Sequence, residues 1–227
     1  MQEQTYNAKW YEQKYQEGYG VIYPESHIIR VHKHILEWEL HLTSGKIIDF
    51  GCGSGANLQY FDCCGFIPCG CDTSANAIDQ CKKKMPKYAN NFFVTPPVKP
   101  DLCNFVEGKG FDVFLSNQVL YYMSDDDIKH IVHQAHALLK PGGVFVATMM
   151  SYSCWYARYI VGEVGDFKQV AISTPRINET TFINFKNKEE LPNLFLPFRS
   201  LHIGSYGSHI REEEGSTDHW IFIGCRD

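Results

Sequence analysis

Apolar positions along this chain change period several times, and the changes mark out its elements. Short apolar runs of strand length occur around Ile47-Ile48, from Gly65 to Cys71, at Asn91–Val94, from Phe111 to Leu115 and at Val144–Met149. Between them the apolar spacing turns to three and four, the period of a helix face. From Pro24 to Leu42, residues Ile28, Val31, Ile35, Trp38 and Leu42 repeat in this way and predict an amphipathic helix. Leu58 and Phe61 start another helix, Ala75 to Met85 reads as a third, and Ser124-Asp125-Asp126-Asp127 opens a fourth that runs to Leu139, with acids in its first turn. Thr5 to Glu17 predicts a helix dense in aromatics, with Tyr6 and Trp10 four apart, as are Tyr11 and Tyr15; Gly18-Tyr19-Gly20 ends it. Residues 151–197 alternate less cleanly. A short helix is expected over Tyr152, Trp155, Tyr156 and Arg158–Ile160, then a loop with Gly162, Gly165 and Pro175, then a small helix from Asn187. Phe198–His209 and Asp218–Arg226 read as two strands of a closing antiparallel hairpin. Strand and helix alternating through five strands predict a parallel α/β sheet with helices on both faces.

The stretch Lys46-Ile47-Ile48-Asp49-Phe50-Gly51-Cys52-Gly53-Ser54-Gly55-Ala56 organises the rest. It is a strand, a turn with glycine at every second position, and the start of a helix. Glycine supplies positive φ and lets a ligand approach the backbone, and the helix behind presents unpaired N–H groups. Asp49 stands at the carboxyl end of the strand, where open α/β sheets bind ligands. Two ligands fit this pattern. Gly51, Gly53 and Ala56 match a dinucleotide fingerprint, with Asp72 near the spacing of a ribose-binding acid; alternatively the stretch reads Asp-x-Gly-x-Gly-x-Gly. Asp72 ends the second strand, where its two oxygens can accept from both hydroxyls of a ribose. The other role open to Asp72-Thr73-Ser74 is to cap the following helix.

Composition narrows the partners. At 227 residues the chain is long enough for one α/β domain. A net charge of −5 argues against nucleic acid. The N-terminus shows no signal-peptide core, and no apolar run approaches a membrane span, so a cytoplasmic protein is expected. Nine cysteines include Cys63, Cys64, Cys69, Cys71 and Cys81 close together, yet none forms a C-x-x-C pair. Reduced thiols acting as small apolar residues are expected, and no metal. His130, His133 and His136 lie at helical spacing and read as one helix face.

Taken in order, Ile47 to Gly55, the acid Asp72, Phe111-Asp112-Val113 through Asn117 and Tyr121-Tyr122, and Leu138-Leu139-Lys140-Pro141-Gly142-Gly143 resemble the motifs of class I S-adenosylmethionine (SAM)-dependent methyltransferases. The resemblance implies a Rossmann-like seven-stranded sheet of order 3-2-1-4-5-7-6, its last strand antiparallel, in a single domain over residues 1–227. Residues 1–43 would form an N-terminal helical cap and 151–197 a substrate-side insertion. It implies SAM as cofactor and S-adenosylhomocysteine (SAH) as product. Gly51, Gly53 and Gly55 would approach the amino-acid tail, Asp49 its ammonium, Asp72 the ribose, and Asn117 the tail or the methylene near sulfur, with Cys52, Thr73 and Gln118 as further cofactor-binding residues. Tyr11 and Tyr15 would close the site and offer an aromatic face to the sulfonium. The family's acid or amide after strand three is missing from Val94-Thr95-Pro96-Pro97-Val98.

Trp10 to Tyr15 and Tyr23-Pro24-Glu25 are similar to small bacterial methyltransferases of surface-polysaccharide and capsule biosynthesis, some of which methylate a sugar hydroxyl and others a capsular phosphoramidate. That implies O-methylation of a small polar acceptor, phosphorylated or nucleotide-activated. Tyr23, His27, Arg30, Tyr152 and Arg158 are then the expected substrate residues, the arginines as anion clamps. Tyr121 and His209 are the expected catalytic pair; among histidines, His27, His209 and His219 have the pKa range a base needs. Two alternatives stand beside this reading: an NAD(P)-dependent oxidoreductase, and a SAM-binding protein without catalysis.

Overall fold

The structure is a computed structural model that describes residues 2–106, 110–175, 177–212 and 215–227. Its centre is a seven-stranded sheet of β1 (Gly45–Phe50), β2 (Phe66–Asp72), β3 (Phe92–Val94), β4 (Phe111–Ser116), β5 (Leu139–Met150), β9 (Arg199–Tyr206) and β10 (His219–Cys225), in the order β3-β2-β1-β4-β5-β10-β9. The first five pair in parallel, and β10 runs antiparallel to both β5 and β9. The order differs from the expected 3-2-1-4-5-7-6 in its last two numbers, because three further strands precede the hairpin.

Those three strands are the main departure from the sequence reading. β6 (Ile160–Val164), β7 (Phe167–Ser173) and β8 (Asn178–Ile183) form a second, antiparallel sheet where helix and loop were expected. Gly165-Asp166, with Gly165 at φ 57°, is the two-residue connection between β6 and β7, a pair that favours hairpins.

Helices cover both faces of the large sheet. On one face Ile48, Phe114, Phe145 and Phe222 pack with Ile128, Ile131 and Ala135 of α6 (Asp125–Leu138). On the other, Ile47, Val113, Val146 and Ile223 meet Leu58 and Phe61 of α3 (Ala56–Cys63), Ile78 of α4 (Ala75–Lys84) and Ile28 of α2 (Ser26–Arg30). Neighbouring residues of one strand therefore serve opposite cores. This is why β4 is buried at every position and reads as an unbroken apolar run. Beyond α2 the chain continues as a π-helical segment, Val31–Glu39, where regular α-helix was expected.

The N-terminal helix α1 (Gln2–Gln16) docks through polar side chains rather than through an apolar stripe. Gln4 donates through Nε2 to Asp127 at 2.8 Å, and Asn7 donates through Nδ2 to the Phe182 carbonyl at 2.9 Å. Asn7 Oδ1 accepts from the Thr181 hydroxyl and the Phe182 N–H. The helix thereby lies against both α6 and β8, with Tyr11 and Tyr15 facing the ends of the parallel strands. No helix among the described residues is long and apolar enough to cross a membrane.

Candidate active site

The glycine turn is tied to the neighbouring strand before any ligand is considered. The N–H groups of Gly51 and Cys52 both donate to the Cys71 carbonyl, at 2.8 and 2.9 Å. The Gly53 N–H donates to Asp72 Oδ2 at 2.9 Å, and the Ser74 N–H to Oδ1 at 2.9 Å. Ser74 caps α4 by accepting from the Ala77 N–H. Asp72 thus braces the turn, and each of its oxygens keeps room for a further donor. Gly51, Gly53 and Gly55 have φ of 76°, 52° and 83°. A Cβ at Gly51 would lie 2.2 Å from Val119, and one at Gly53 2.4 Å from the Tyr15 hydroxyl.

A cavity of about 210 Å³ opens over this turn, between Gly51, Cys52, Asp72 and Thr73 on one side and Tyr15 and Asn117 on the other. Gly53 and Gly55 shape the turn without lining the cavity. Asp49 does not line it either. It is 1 % exposed, one residue before Phe50 and Gly51, which do. Neither of its carboxylate oxygens has a hydrogen-bond partner of good geometry. Burial pushes its carboxyl up to about 8, with the Asn57 side chain offsetting part of the effect and the Asp72 charge adding to it.

A second chamber, about 520 Å³, adjoins the first across Tyr11, Tyr19, Glu25, Gln118, Tyr121 and Tyr122. The loop after β4 forms this wall. Gln118, at φ 59°, donates its N–H to the Thr148 hydroxyl, and its Nε2 to Glu25 at 2.9 Å and to the Tyr206 hydroxyl at 3.0 Å. Asn117 Oδ1 sits 2.8 Å from His27 Nε2. The Tyr11 and Tyr122 hydroxyls share a 2.7 Å hydrogen bond. Burial holds the hydroxyls of Tyr11, Tyr121 and Tyr122 well above the ordinary tyrosine range, so they stay protonated. Deeper in the chamber three rings stack in a row: His27 on Tyr206 at 3.6 Å, and Tyr206 on His219 at 5.1 Å.

The expected site residues divide. Tyr11, Tyr15, Gly51, Cys52, Asp72, Thr73, Asn117, Gln118 and Tyr121 line the first cavity, and His27 lines the second. Tyr23 is 78 % exposed in the turn before α2. Arg30 is on the outer side of α2, whose buried residues are His27 and Ile28. Tyr152 stacks on Phe185, and exposed Arg158 lies against Gly215. His209 is exposed in the loop beyond the ends of β9 and β10. None of these five lines either cavity, and no described arginine or lysine does. His219 lines the second chamber where His209 does not, because hairpin register sets it opposite Tyr206 at the inner end of β10. Glu25, Tyr156 and Tyr206 were not expected. Only the register of β9 on β10 could have marked Tyr206.

Residues 48–145 match the family model of a methyltransferase domain. Those residues, under half of the chain, are similar to methyltransferase domains. Over 165 residues, 66 % of this chain and 40 % of the relative, it is 29 % identical to an mRNA cap guanine-N(7) methyltransferase of Caenorhabditis elegans. Over 119 residues, 51 % of this chain and 52 % of the relative, it is 30 % identical to an uncharacterized methyltransferase of Synechocystis. The chain spans about half or less of the length of these curated relatives. In fold it is similar to the 1,6-didemethyltoxoflavin-N1-methyltransferase of Burkholderia thailandensis, solved with SAH. The TM-score is 0.62 at 18 % identity, over 96 % of this chain and 86 % of that one. None of these likenesses supports the nicotinamide alternative for the glycine turn.

Proposed function

We propose that this protein transfers a methyl group from SAM to a small, uncharged polar acceptor. The observation that carries the reading is the pairing of Asp72 with the glycine turn at one end of a cavity, beside a buried acid, Asp49, whose oxygens make no hydrogen bond of good geometry. SAM supplies a methyl group on a sulfonium together with its own leaving group, so the protein's part is chiefly orientation. Asp72 would hold the ribose hydroxyls with its remaining acceptor positions, and Thr73 would lie beside them. Asp49 would answer the ammonium of the amino-acid tail, which removes the cost of a buried unpaired carboxylate. Gly51, Cys52 and Asn117 would border the tail. Tyr11 and Tyr15 would cover the sulfonium with ring faces.

The acceptor would enter the second chamber, whose size suits a small molecule. Residues 1–43 act in this account as a cap, through Tyr11 and Tyr15, and 151–197 as an acceptor-side insertion, through Tyr156. Of the acceptors implied by the bacterial resemblance, a sugar hydroxyl fits better than a phosphoramidate, because no described cation lines either chamber. Nine unpaired thiols fit a reducing compartment such as the cytoplasm.

Thermal unfolding with SAH, SAM and NAD in parallel tests the cofactor assignment. At about a hundred times its Kd a ligand stabilises by roughly 2.7 kcal/mol, which moves Tm by about 5–10 °C in a domain of this size. The expected result is a shift with SAH and SAM that Asp72→Asn largely abolishes. A shift with NAD alone would contradict it. Methyl transfer to any acceptor would exclude the non-catalytic alternative.

A further inference from the structure

We infer that the second chamber seats the methyl acceptor and that Nε2 of His219 takes the acceptor's proton. The inference rests on the methyltransferase reading above and names the residue and the acceptor chemistry that the reading leaves open.

His219 Nδ1 lies 2.7 Å from the Thr217 carbonyl oxygen. A carbonyl only accepts, so Nδ1 carries the hydrogen and Nε2 of the neutral ring carries the lone pair. The residue is 4 % exposed, and Nε2 is buried without a hydrogen-bond partner among the described residues. His219 nonetheless lines the chamber. An acceptor atom buried in this way, at a cavity wall, is matched by a ligand that brings a donor.

The ring is fixed on two sides. Tyr206 stacks on it at 5.1 Å with planes 11° apart, and the Tyr121 ring lies 5.4 Å away. The titratable groups facing it are the phenols of Tyr121 and Tyr206, the imidazole of His27 beyond Tyr206, and the carboxylate of adjacent Asp218, which accepts from the Ser216 hydroxyl. Burial, with His27 adding to it, lowers the imidazole to about 4, while the Thr217 carbonyl and Asp218 oppose the shift. The base is therefore bare at neutral pH. Tyr121 lines both cavities, so the chamber bounded by His219 adjoins the cavity of the proposed methyl donor.

These features select the acceptor. It must carry a hydrogen on its nucleophilic atom, be small, and lack a phosphate, since no described lysine or arginine lines the chamber. For a hydroxyl, the oxygen forms its bond to the methyl carbon while the methyl–sulfur electron pair stays on sulfur. The O–H proton passes to Nε2, leaving an imidazolium whose Nδ1–H still donates to Thr217. One positive charge leaves the sulfonium as one arrives on His219, so the net charge of the site is unchanged.

The test uses phenol as a hydroxyl probe and phenyl phosphate as its anionic counterpart, with the full chain saturated by SAH. Phenol is expected to shift the ¹⁵N resonance of His219 Nε2 while Nδ1 stays near its starting value. Phenyl phosphate is expected to bind at least about tenfold more weakly. His219→Phe and His219→Asn, the second of which keeps a donor for Thr217, should each lose roughly tenfold in phenol affinity with SAH affinity within about twofold of wild type. With SAM in place of SAH, methylation of phenol should fall about a hundredfold or more in both variants. Three results would overturn the inference: no phenol binding at millimolar concentration, binding that leaves His219 unperturbed, or both variants binding phenol as wild type does. Failure of wild type to bind SAH would instead sink the cofactor reading, so the two failures are distinguishable.

Discussion

Asp49 is the residue on which the cofactor account can be tested through pH alone. It is buried, makes no hydrogen bond of good geometry, and is held up to about 8 by burial against the opposing Asn57 side chain. An acid whose folded pKa is raised binds its proton more tightly folded than unfolded. Its contribution to stability is complete below the unfolded pKa and is lost as pH rises toward 8. A cationic ammonium placed beside it reverses the preference and favours the carboxylate. SAH binding near neutral pH should therefore release a proton, and SAH should bind several-fold more tightly at pH 8 than at pH 6. Calorimetry in two buffers of different ionisation heat reads the proton directly. Asp49→Asn should flatten most of the slope; Asp72, whose carboxyl burial also raises, leaves a residual slope of the same sign. Binding that is independent of pH in wild type would remove Asp49 from the site. At this scale the sequence carried much of the cofactor side, because Asp49, the glycines and Asp72 are adjacent in one strand–turn–helix unit or one strand over. It could not say that the Val119 side chain leaves no room for a Cβ at Gly51. Nor could it show that Arg30 and Arg158 lie outside both cavities, since their directions are set by which helix face is buried and by what they pack against.

Among the elements, α1 departs most from its sequence pattern. Its aromatics suggested an apolar stripe, yet its buried residues are Gln4 and Asn7. Asn7 serves the Phe182 carbonyl, the Phe182 N–H and the Thr181 hydroxyl at once. Asn7→Ala leaves those buried groups unsatisfied and should cost about 1–3 kcal/mol. Because α1 presents Tyr11 and Tyr15 to the cavity, the same variant should also weaken SAH binding. Urea unfolding measures the first effect and an SAH titration the second. Unchanged SAH affinity in a measurably destabilised Asn7→Ala protein would show that α1 is not part of the closure. The parallel strands and their helices were legible because strand burial on both faces writes long apolar runs. The β6–β7–β8 sheet was not, because no residue of β6 and only part of β7 and β8 is buried, and its one clear signal, Gly165-Asp166, is two residues long.

For the whole molecule, the sheet order brings the chemistry to one edge. The carboxyl ends of β1, β2 and β4 supply the glycine turn, Asp72 and Asn117, and the antiparallel β10 begins at the same edge with His219. A hairpin returning beside β5 is thus what carries a histidine from the far end of the chain to the cofactor cavity's neighbour. That juxtaposition depends on strand register across the 12 residues between Tyr206 and His219, which no local pattern encodes. The most direct measurement of the central claim is an equilibrium titration of SAH into wild type and Asp72→Asn at pH 8, with NAD as competitor. The account predicts one-to-one binding that NAD does not displace and that the substitution weakens by about tenfold or more. Binding of SAH that is indifferent to Asp72→Asn, or displacement by NAD, would contradict it.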